Sequence, residues 1–141
     1  MSAYPLIIDL EGRPCLVVGG GRIALRKTLG LLRAGALVTA VSPMFHRLFS
    51  RLASRMVMIT RPFAASDITT DLALVIGATN DPEVNVAVSR RAAELRVPCN
   101  IVDRPELCSV MVPAVVRRGD LTIAVASGGT SPRLSRYVKE R

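Results

Sequence analysis

Short apolar runs recur along most of the chain and are separated by polar or helical stretches. These runs predict buried strands at residues 5–10, 15–18, 37–41, 56–60, 72–78 and 98–102. A run that stays apolar throughout, without alternating polar positions, is typical of a strand that is covered on both faces, as in a parallel sheet. The pattern therefore predicts a sheet that lies inside the protein.

The stretches between these runs have helical spacing or helix-capping residues. Residues 22–34 repeat apolar side chains at the spacing of one helix face, with basic residues opposite. Ser42-Pro43 and Asp81-Pro82 have the residue types preferred at a helix start, which predicts helices to about residues 55 and 95. Strands alternating with helices predict an α/β fold, a Rossmann-like doubly wound parallel sheet.

The C-terminal part of the chain has a different pattern. Two β-prone runs at residues 110–116 and 121–126 predict a β-hairpin. Ser131-Pro132 then predicts a helix that still runs at the last residue, so we expect the natural chain to continue beyond it. We therefore predict two regions, with residues 1–112 as the sheet-containing domain and residues 113–141 as the start of another.

Composition narrows the class of protein. At 141 residues the chain is long enough for one hydrophobic core. No apolar run approaches the roughly 20 residues that span a bilayer, and no secretory signal begins the chain, so we expect a cytoplasmic location. Cys15, Cys99 and Cys108 form neither a CxxC pair nor a Cys/His cluster. They predict no disulfide framework and no metal site, and two of them are expected in the core.

The net charge is strongly positive and points to an anionic partner. Nineteen Lys and Arg residues against eleven Asp and Glu residues give a formal charge of +8. Nucleic acid, a membrane surface or an acidic small molecule are all compatible with this charge. The arginines are scattered rather than clustered, and aromatic stacking residues are scarce, so we expect no nucleic acid and no membrane partner.

A glycine-rich segment is the strongest local motif. Gly19, Gly20, Gly21, Arg22, Ile23 and Ala24 spell G-x-G-x-x-A between an apolar strand and an amphipathic helix. In this context Gly19 permits a tight turn, Gly21 lets the backbone approach a pyrophosphate, and Ala24 lets helix and strand pack closely. The alternative is a glycine turn that only reverses the chain.

The end of the second strand of this unit is expected to contact the ribose. Ser42, Pro43 and Met44 stand there, and none of them is the Asp or Glu that commonly binds ribose hydroxyls. Ser42 can donate or accept one hydrogen bond. The position therefore leaves NAD and NADP as alternatives.

Asp103 follows a strand at the edge of the sheet where open α/β folds build their sites. It is a candidate general acid or base. An equally good interpretation is a turn residue before Pro105, a common role for Asp. Asn85, His46 and Glu106 have weaker claims to a site.

A second glycine-containing loop lies near the C-terminus, before the predicted final helix. The amides and hydroxyls of Ser127, Gly128, Gly129 and Thr130 could bind a carboxylate or phosphate. Ordinary loop chemistry is the alternative interpretation.

Several spaced segments in register resemble the precorrin-2 dehydrogenase family, the N-terminal part of siroheme synthase. The likeness covers nearly the whole chain and is carried by Pro5-Leu6, Asp9-Leu10, Arg13, Val17-Val18-Gly19-Gly20-Gly21, Arg26-Lys27, Leu31-Leu32, Gly35-Ala36, Ala78-Thr79-Asn80-Asp81, Asn85, Asn100-Ile101-Val102-Asp103, Pro113-Ala114 and residues 127–132. The resemblance implies NAD-dependent dehydrogenation of precorrin-2 to sirohydrochlorin by a homodimer, with residues 113–141 starting the dimerisation region. Some members of the family also insert iron.

The resemblance also implies roles for individual residues. Asp103 matches the family's general acid/base, and Ser127 matches a serine beside the substrate, with Gly128, Gly129 and Thr130 following it. The predicted cofactor contacts are Gly19, Gly20, Gly21, Arg22, Ile23, Ala24, Ser42, Pro43, Met44 and Thr79. Precorrin-2 is a polycarboxylate, which explains the basic charge. The alternatives are an NAD-binding regulatory module without catalysis, which does not need Asp103, and a nucleic-acid-binding protein.

Overall fold

Five of the six predicted apolar runs form strands of one sheet in the computed structural model, which describes residues 2–127 together with residues 133, 137 and 140. The strands are Pro14–Val18 (β1), Leu37–Ser42 (β2), Val57–Thr60 (β3), Leu74–Gly77 (β4) and Cys99–Ile101 (β5). All neighbouring strands are parallel, in the order β3-β2-β1-β4-β5. The predicted Rossmann-like sheet is therefore confirmed.

The central strand β1 is buried on both faces, which explains its uninterrupted apolar sequence. Cys15 and Val17 point into one core cluster, and Leu16 and Val18 point into the other. Successive side chains of a strand point to opposite faces, so one strand serves both clusters. Cys15 is 1% exposed, and Cys99 in β5 is 2% exposed, which confirms both as core residues.

Two α-helices cover the sheet close to where they were predicted. They are Arg22–Arg33 (α1) and Pro82–Glu94 (α2). The predicted apolar face of α1 is confirmed, since Ala24, Thr28 and Leu31 are buried. The start of α2 is capped by the Asp81 carboxylate, which accepts a hydrogen bond from the Glu83 amide at 2.9 Å.

The helix predicted from Ser42-Pro43 to residue 55 is wrong. Residues 43–46 form a bend, and only Arg47–Leu52 is helical, as a 3₁₀-helix. The His46 amide donates to the Gly20 carbonyl, and the Ser42 hydroxyl donates to the Met44 carbonyl. The tertiary bond to Gly20 and the local bond to Met44 hold the segment in a non-helical path, which the capping residues alone could not indicate.

The strand predicted at residues 5–10 is also wrong. This segment has no regular structure, and its side chains are mostly exposed. An apolar run becomes a strand only where a neighbouring backbone is available for hydrogen bonding, and no strand pairs with these residues in the part of the chain that the structure describes. Local composition carries no information about that availability.

The chain divides into two compact units, Ile8–Val110 and a smaller unit that contains Met111 onward together with the residues up to Ile7. In the smaller unit, Ala114–Arg118 (β6) and Leu121–Val125 (β7) pair antiparallel, which confirms the predicted hairpin. The predicted final helix lies largely outside the described residues. Among the residues described, no helix combines the length and apolar character required to cross a membrane.

We expect replacement of Gly19 by Ala to destabilise the protein. Gly19 has φ +130°, and a Cβ there would overlap the Ala78 carbonyl oxygen. The change should lower the free energy of unfolding by about 2 kcal/mol or more because it combines backbone strain with a steric clash. Gly30→Ala is the matched control, because Gly30 lies inside α1 with open space at its Cβ position. It should raise the free energy by about 0.5–1 kcal/mol. Urea denaturation measures both, and equal stability of the two variants would contradict this role of Gly19.

Candidate functional site

A cavity of about 910 Å³ lies at the carboxyl ends of β1, β2, β4 and β5. Within the sheet, β2 and β3 lie on one side of β1, and β4 and β5 lie on the other side of it. The gap between the loops that follow β1 and β4 is the topological switch point, where open α/β sheets bind ligands. The volume is in the range of small-molecule and cofactor sites.

The structure brings most of the predicted site residues together in this cavity. Its lining includes Gly19, Gly20, Gly21, Arg22, Ile23, Ser42, Pro43, Met44, Thr79 and Asp103. Ala24 does not line it. This residue is completely buried in α1, where a small side chain lets the helix approach the sheet, as the motif predicts.

The three consecutive glycines have different environments. A Cβ at Gly19 would overlap the Ala78 carbonyl, and a Cβ at Gly20 would overlap the Met44 carbonyl. A Cβ at Gly21 would meet no protein atom within 4 Å. Gly21 has an ordinary φ of −84°, so neither packing nor backbone conformation within this unit requires glycine there. The absence of a side chain at Gly21 leaves open space in the cavity.

The N-terminus of α1 opens into the same space. Gly21 is its N-cap and has no side chain to accept hydrogen bonds, and the first turn contains no acidic residue. The first amide that bonds within the helix is that of Leu25, which donates to the Gly21 carbonyl at 2.9 Å. The preceding helix amides are therefore available, and together with the helix dipole they form a site for a phosphate group.

The segment after β2 is fastened against the glycine loop. The His46 amide donates to the Gly20 carbonyl at 2.6 Å, and the Ser42 hydroxyl donates to the Met44 carbonyl at 2.7 Å. Because its only proton is used in this bond, the Ser42 hydroxyl can act toward a ligand only as an acceptor. Pro43 and Met44 line the cavity beside it.

The segment after β4 is held by a buried amide. Asn85 is 6% exposed, and its side-chain nitrogen donates to the Thr79 carbonyl at 3.1 Å. The Thr79 hydroxyl donates to the Asn85 amide oxygen at 2.8 Å. The sequence analysis gave Asn85 only a weak claim to a site. Its position four residues after the Asp81 cap indicates that its side chain can reach back to the loop at Thr79.

The segment after β3 contributes residues that the sequence analysis missed. Pro62 and Phe63 line the cavity. Their loop is closed by Arg61, whose two guanidinium nitrogens donate to the two carboxylate oxygens of Asp67 at 2.9 and 2.5 Å. Hydrogen bonding to Arg61 lowers the pKa of Asp67 below its ordinary value. The signal available in the sequence was that this loop follows a parallel strand at the same sheet edge.

Asp103 lies at the far end of the cavity from β2, in a left-handed conformation with φ +59°. Its carboxylate is exposed and makes no hydrogen bond to any described residue. The Lys27 side chain of α1 is half-buried near it. Burial and the neighbouring Arg26 lower the pKa of Lys27, while the Asp103 carboxylate acts in the opposite direction. A carboxylate that is held in a turn but unbonded is available to exchange a proton with a ligand.

Of the weaker candidates, His46 also lines the cavity and Glu106 does not. Glu106 is ion-paired with Arg104 at 2.5 Å on the surface, and this hydrogen bond lowers the pKa of Glu106. Ser127 is half-buried at the end of β7 in the smaller unit, and Gly128, Gly129 and Thr130 lie outside the described residues. Within the part that the structure describes, no group of His, Cys, Asp and Glu side chains could hold a metal ion.

Two family models match the sequence. The family described as "Putative NAD(P)-binding" matches residues 6–114, and the family described as "Sirohaem biosynthesis protein central" matches residues 118–141. The first match contains every described residue of the cavity lining, and the second contains the hairpin strand β7 and residues 127–130.

Siroheme synthases of several organisms are similar to the whole chain. The protein from Methylobacillus flagellatus is 46% identical and the one from Nitrosomonas europaea is 43% identical, each over 100% of this chain. The chain spans about 30% of the length of each of these relatives.

Solved structures agree with the fold. The precorrin-2 dehydrogenase SirC is 28% identical with a TM-score of 0.80, covering 98% of this chain and 68% of that one. A D-lactate dehydrogenase from Escherichia coli, 12% identical with a TM-score of 0.52 over 72% of this chain and 32% of that one, shares the fold alone. Together with the family matches, these similarities confirm the resemblance predicted from the sequence.

We expect Asp67→Asn to loosen the loop that carries Phe63. The substitution should lower the free energy of unfolding by about 1 kcal/mol at neutral pH, a modest value because Arg61 is partly exposed. The pKa of Asp67 is lower in the folded state than in the unfolded chain. Its contribution is therefore present above the unfolded pKa of about 3.9 and is lost as the pH falls through the folded pKa. Urea denaturation across this pH range should show the two proteins converging in acid, and a difference independent of pH would contradict the assignment.

Proposed function

Because the chain belongs to the NAD(P)-binding family whose model matches residues 6–114, we propose that it binds NAD in the cavity and dehydrogenates precorrin-2 to sirohydrochlorin. The observation that carries this proposal is the open position of Gly21 at the uncapped start of α1, facing the same cavity as Asp103. The nicotinamide dinucleotide is the cofactor class of the family.

The residues present fit a dinucleotide. The amides at the start of α1 would bind the diphosphate, since Gly21 leaves room for its oxygens. The Ser42 hydroxyl, already donating to Met44, would accept a hydrogen bond from a ribose hydroxyl. When bound, the nicotinamide supplies a hydride acceptor.

Asp103 would handle the proton. Dehydrogenation removes a hydride and a proton from the substrate, so a base must accept the proton when the nicotinamide accepts the hydride. The Asp103 carboxylate lines the cavity and is not used in any hydrogen bond of the described chain. This position suits a general base better than a residue that only terminates a turn, although it also occupies the turn before Pro105.

The substrate is proposed from charge and from similarity. The formal charge of +8 favours a polycarboxylate ligand, and Arg22 places one cation at the cavity itself. The precorrin-2 dehydrogenase SirC and the siroheme synthases support precorrin-2 as that polycarboxylate. Ser127, Gly128, Gly129 and Thr130 form the proposed substrate-binding segment.

A homodimer and a cytoplasmic location remain predictions, as do the domain boundary near residue 112 and iron insertion by this chain. An NAD-binding regulatory module is the second candidate function. Such a module would bind NAD at Gly21 and the start of α1 but would not need the Asp103 carboxylate. The two functions are therefore separated by the effect of changing Asp103 on turnover.

We expect Gly21→Val to weaken NAD binding at least about tenfold, which corresponds to about 1.4 kcal/mol, because the branched side chain occupies the diphosphate space. The Cβ of the new side chain meets no protein atom within 4 Å, so the fold should be retained with a loss of at most about 1 kcal/mol from the N-cap position. Isothermal titration calorimetry measures the affinity, and Gly30→Ala is the control that keeps it. Unchanged affinity of Gly21→Val would place the cofactor elsewhere.

Asp103→Asn should abolish most turnover while leaving NAD affinity within about twofold, because the amide keeps the side-chain shape but cannot accept a proton at this pH. A rate loss of roughly a hundredfold or more is expected for removal of a general base. The measurement is NADH formation with precorrin-2, alongside calorimetric NAD binding. Full turnover in the variant would favour another base, and NAD binding without any turnover in the unchanged protein would favour the regulatory module.

A further inference from the structure

The strand β5 is an edge strand, and its outer backbone groups are bonded by the segment that follows it. The Cys99 carbonyl accepts from the Ser109 amide at 2.9 Å, and the Cys99 amide donates to the Ser109 hydroxyl at 2.9 Å. Edge strands that leave such groups unpaired are prone to slipping and misassociation. Residues 108–110 therefore take the place of a sixth strand.

The outer backbone groups of Ile101 are hydrogen-bonded by a thiol instead of by backbone or hydroxyl groups. The Cys108 sulfur accepts a hydrogen bond from the Ile101 amide at 3.1 Å, and the Asn100 side-chain nitrogen lies 3.6 Å from it. The thiol proton can be donated to the Ile101 carbonyl at 3.2 Å or to the Arg104 carbonyl at 3.3 Å. One side chain thus contacts both ends of the segment from Ile101 to Arg104.

That segment is the turn that carries Asp103. The Arg104 amide donates to the Ile101 carbonyl at 3.2 Å, so Val102 and Asp103 are the two central residues of the turn. Asp103 has the left-handed φ that the second central residue of a type II turn requires, a conformation that residues other than glycine adopt less often than the right-handed one.

We propose that Cys108 is a positioning residue for Asp103. By bonding to both ends of the turn, the thiol holds Asp103 in the left-handed conformation and thereby directs its carboxylate into the cavity. Lys27 of α1, on which the Asp103 carboxylate acts electrostatically, lies near the same turn. This inference rests on the role proposed above for Asp103.

The sequence does not distinguish Cys108 from the other two cysteines, since none of the three belongs to a CxxC pair or a Cys/His cluster. Cys15 and Cys99 are buried in the core, and burial raises the pKa of Cys99 to about 11. Cys108 is half-buried, and its sulfur is used in hydrogen bonds to the turn. The three thiols therefore have different roles, which supplies a matched control.

Steady-state kinetics with precorrin-2 test the role in catalysis. Cys108→Ala and Cys108→Val, which retains a side chain of similar volume, should each lower kcat about ten- to a hundredfold with KM for NAD unchanged, because a small misplacement of a catalytic group has effects of this size. Cys108→Ser, which keeps a donor and an acceptor, should recover a substantial part of kcat. Cys15→Ala should keep kcat while lowering thermal stability.

Amide hydrogen exchange tests the positioning independently of turnover. In Cys108→Ala the Arg104 amide should exchange about tenfold faster or more, because the turn that contains its hydrogen bond is no longer held, whereas Cys15→Ala should leave it unchanged. Unchanged Arg104 exchange, or a wild-type kcat in both Cys108→Ala and Cys108→Val, would overturn the inference. If the unchanged protein has no turnover, the proposed function fails, and the exchange result alone decides whether Cys108 holds the turn.

Discussion

The close approach of three chain segments around Gly19 and Gly20 is the constraint on which the rest of the site depends. The loop after β1 passes so near the Ala78 and Met44 carbonyls that no side chain fits at either glycine. The ends of β1, β2 and β4 are thereby brought to one place. The Gly19 amide donates to the Val41 carbonyl, the His46 amide to the Gly20 carbonyl and the Ala78 amide to the Val18 carbonyl, and these bonds keep the strand ends together. At Gly21, the next residue, the Cβ position is empty instead. The glycine segment is therefore packed tightly at its first two residues and opens into the cavity at its third.

Each wall of the cavity is supported by a polar contact that lies behind it. Asn85 holds the Thr79 segment, Arg61 and Asp67 hold the Phe63 segment, and Cys108 holds the Asp103 turn. Loops carry the residues that face the ligand, and they are ordered because these groups satisfy their backbone and side chains locally. A cofactor and a substrate of different chemistry can then be placed by one rigid frame.

The charge distribution is consistent with the proposed chemistry. A strongly basic chain draws a polycarboxylate toward the protein, and an uncapped helix start provides a separate position for a diphosphate. Asp103 is an acidic group in this basic surrounding, and it lies where its oxygen atoms are not used by the fold. In the proposed function, the start of α1 would bind the diphosphate, the basic residues would attract the polycarboxylate, and the Asp103 carboxylate would accept the proton.

The sequence by itself determined the α/β class, the parallel strands, helix α1 and the glycine motif, because these depend on periodicity and residue type within short windows. It also identified ten of the residues that line the cavity, since the residues that follow parallel strands must meet at one edge. Only the tertiary structure decided that residues 43–46 are not helical and that residues 5–10 pair with no strand of the described chain. It alone showed that Phe63 lines the cavity and that Asn85 and Cys108 bond to loops beside it. Those outcomes depend on which backbone and side-chain groups the folded chain brings within hydrogen-bond distance, and residue type and periodicity alone do not specify these pairings.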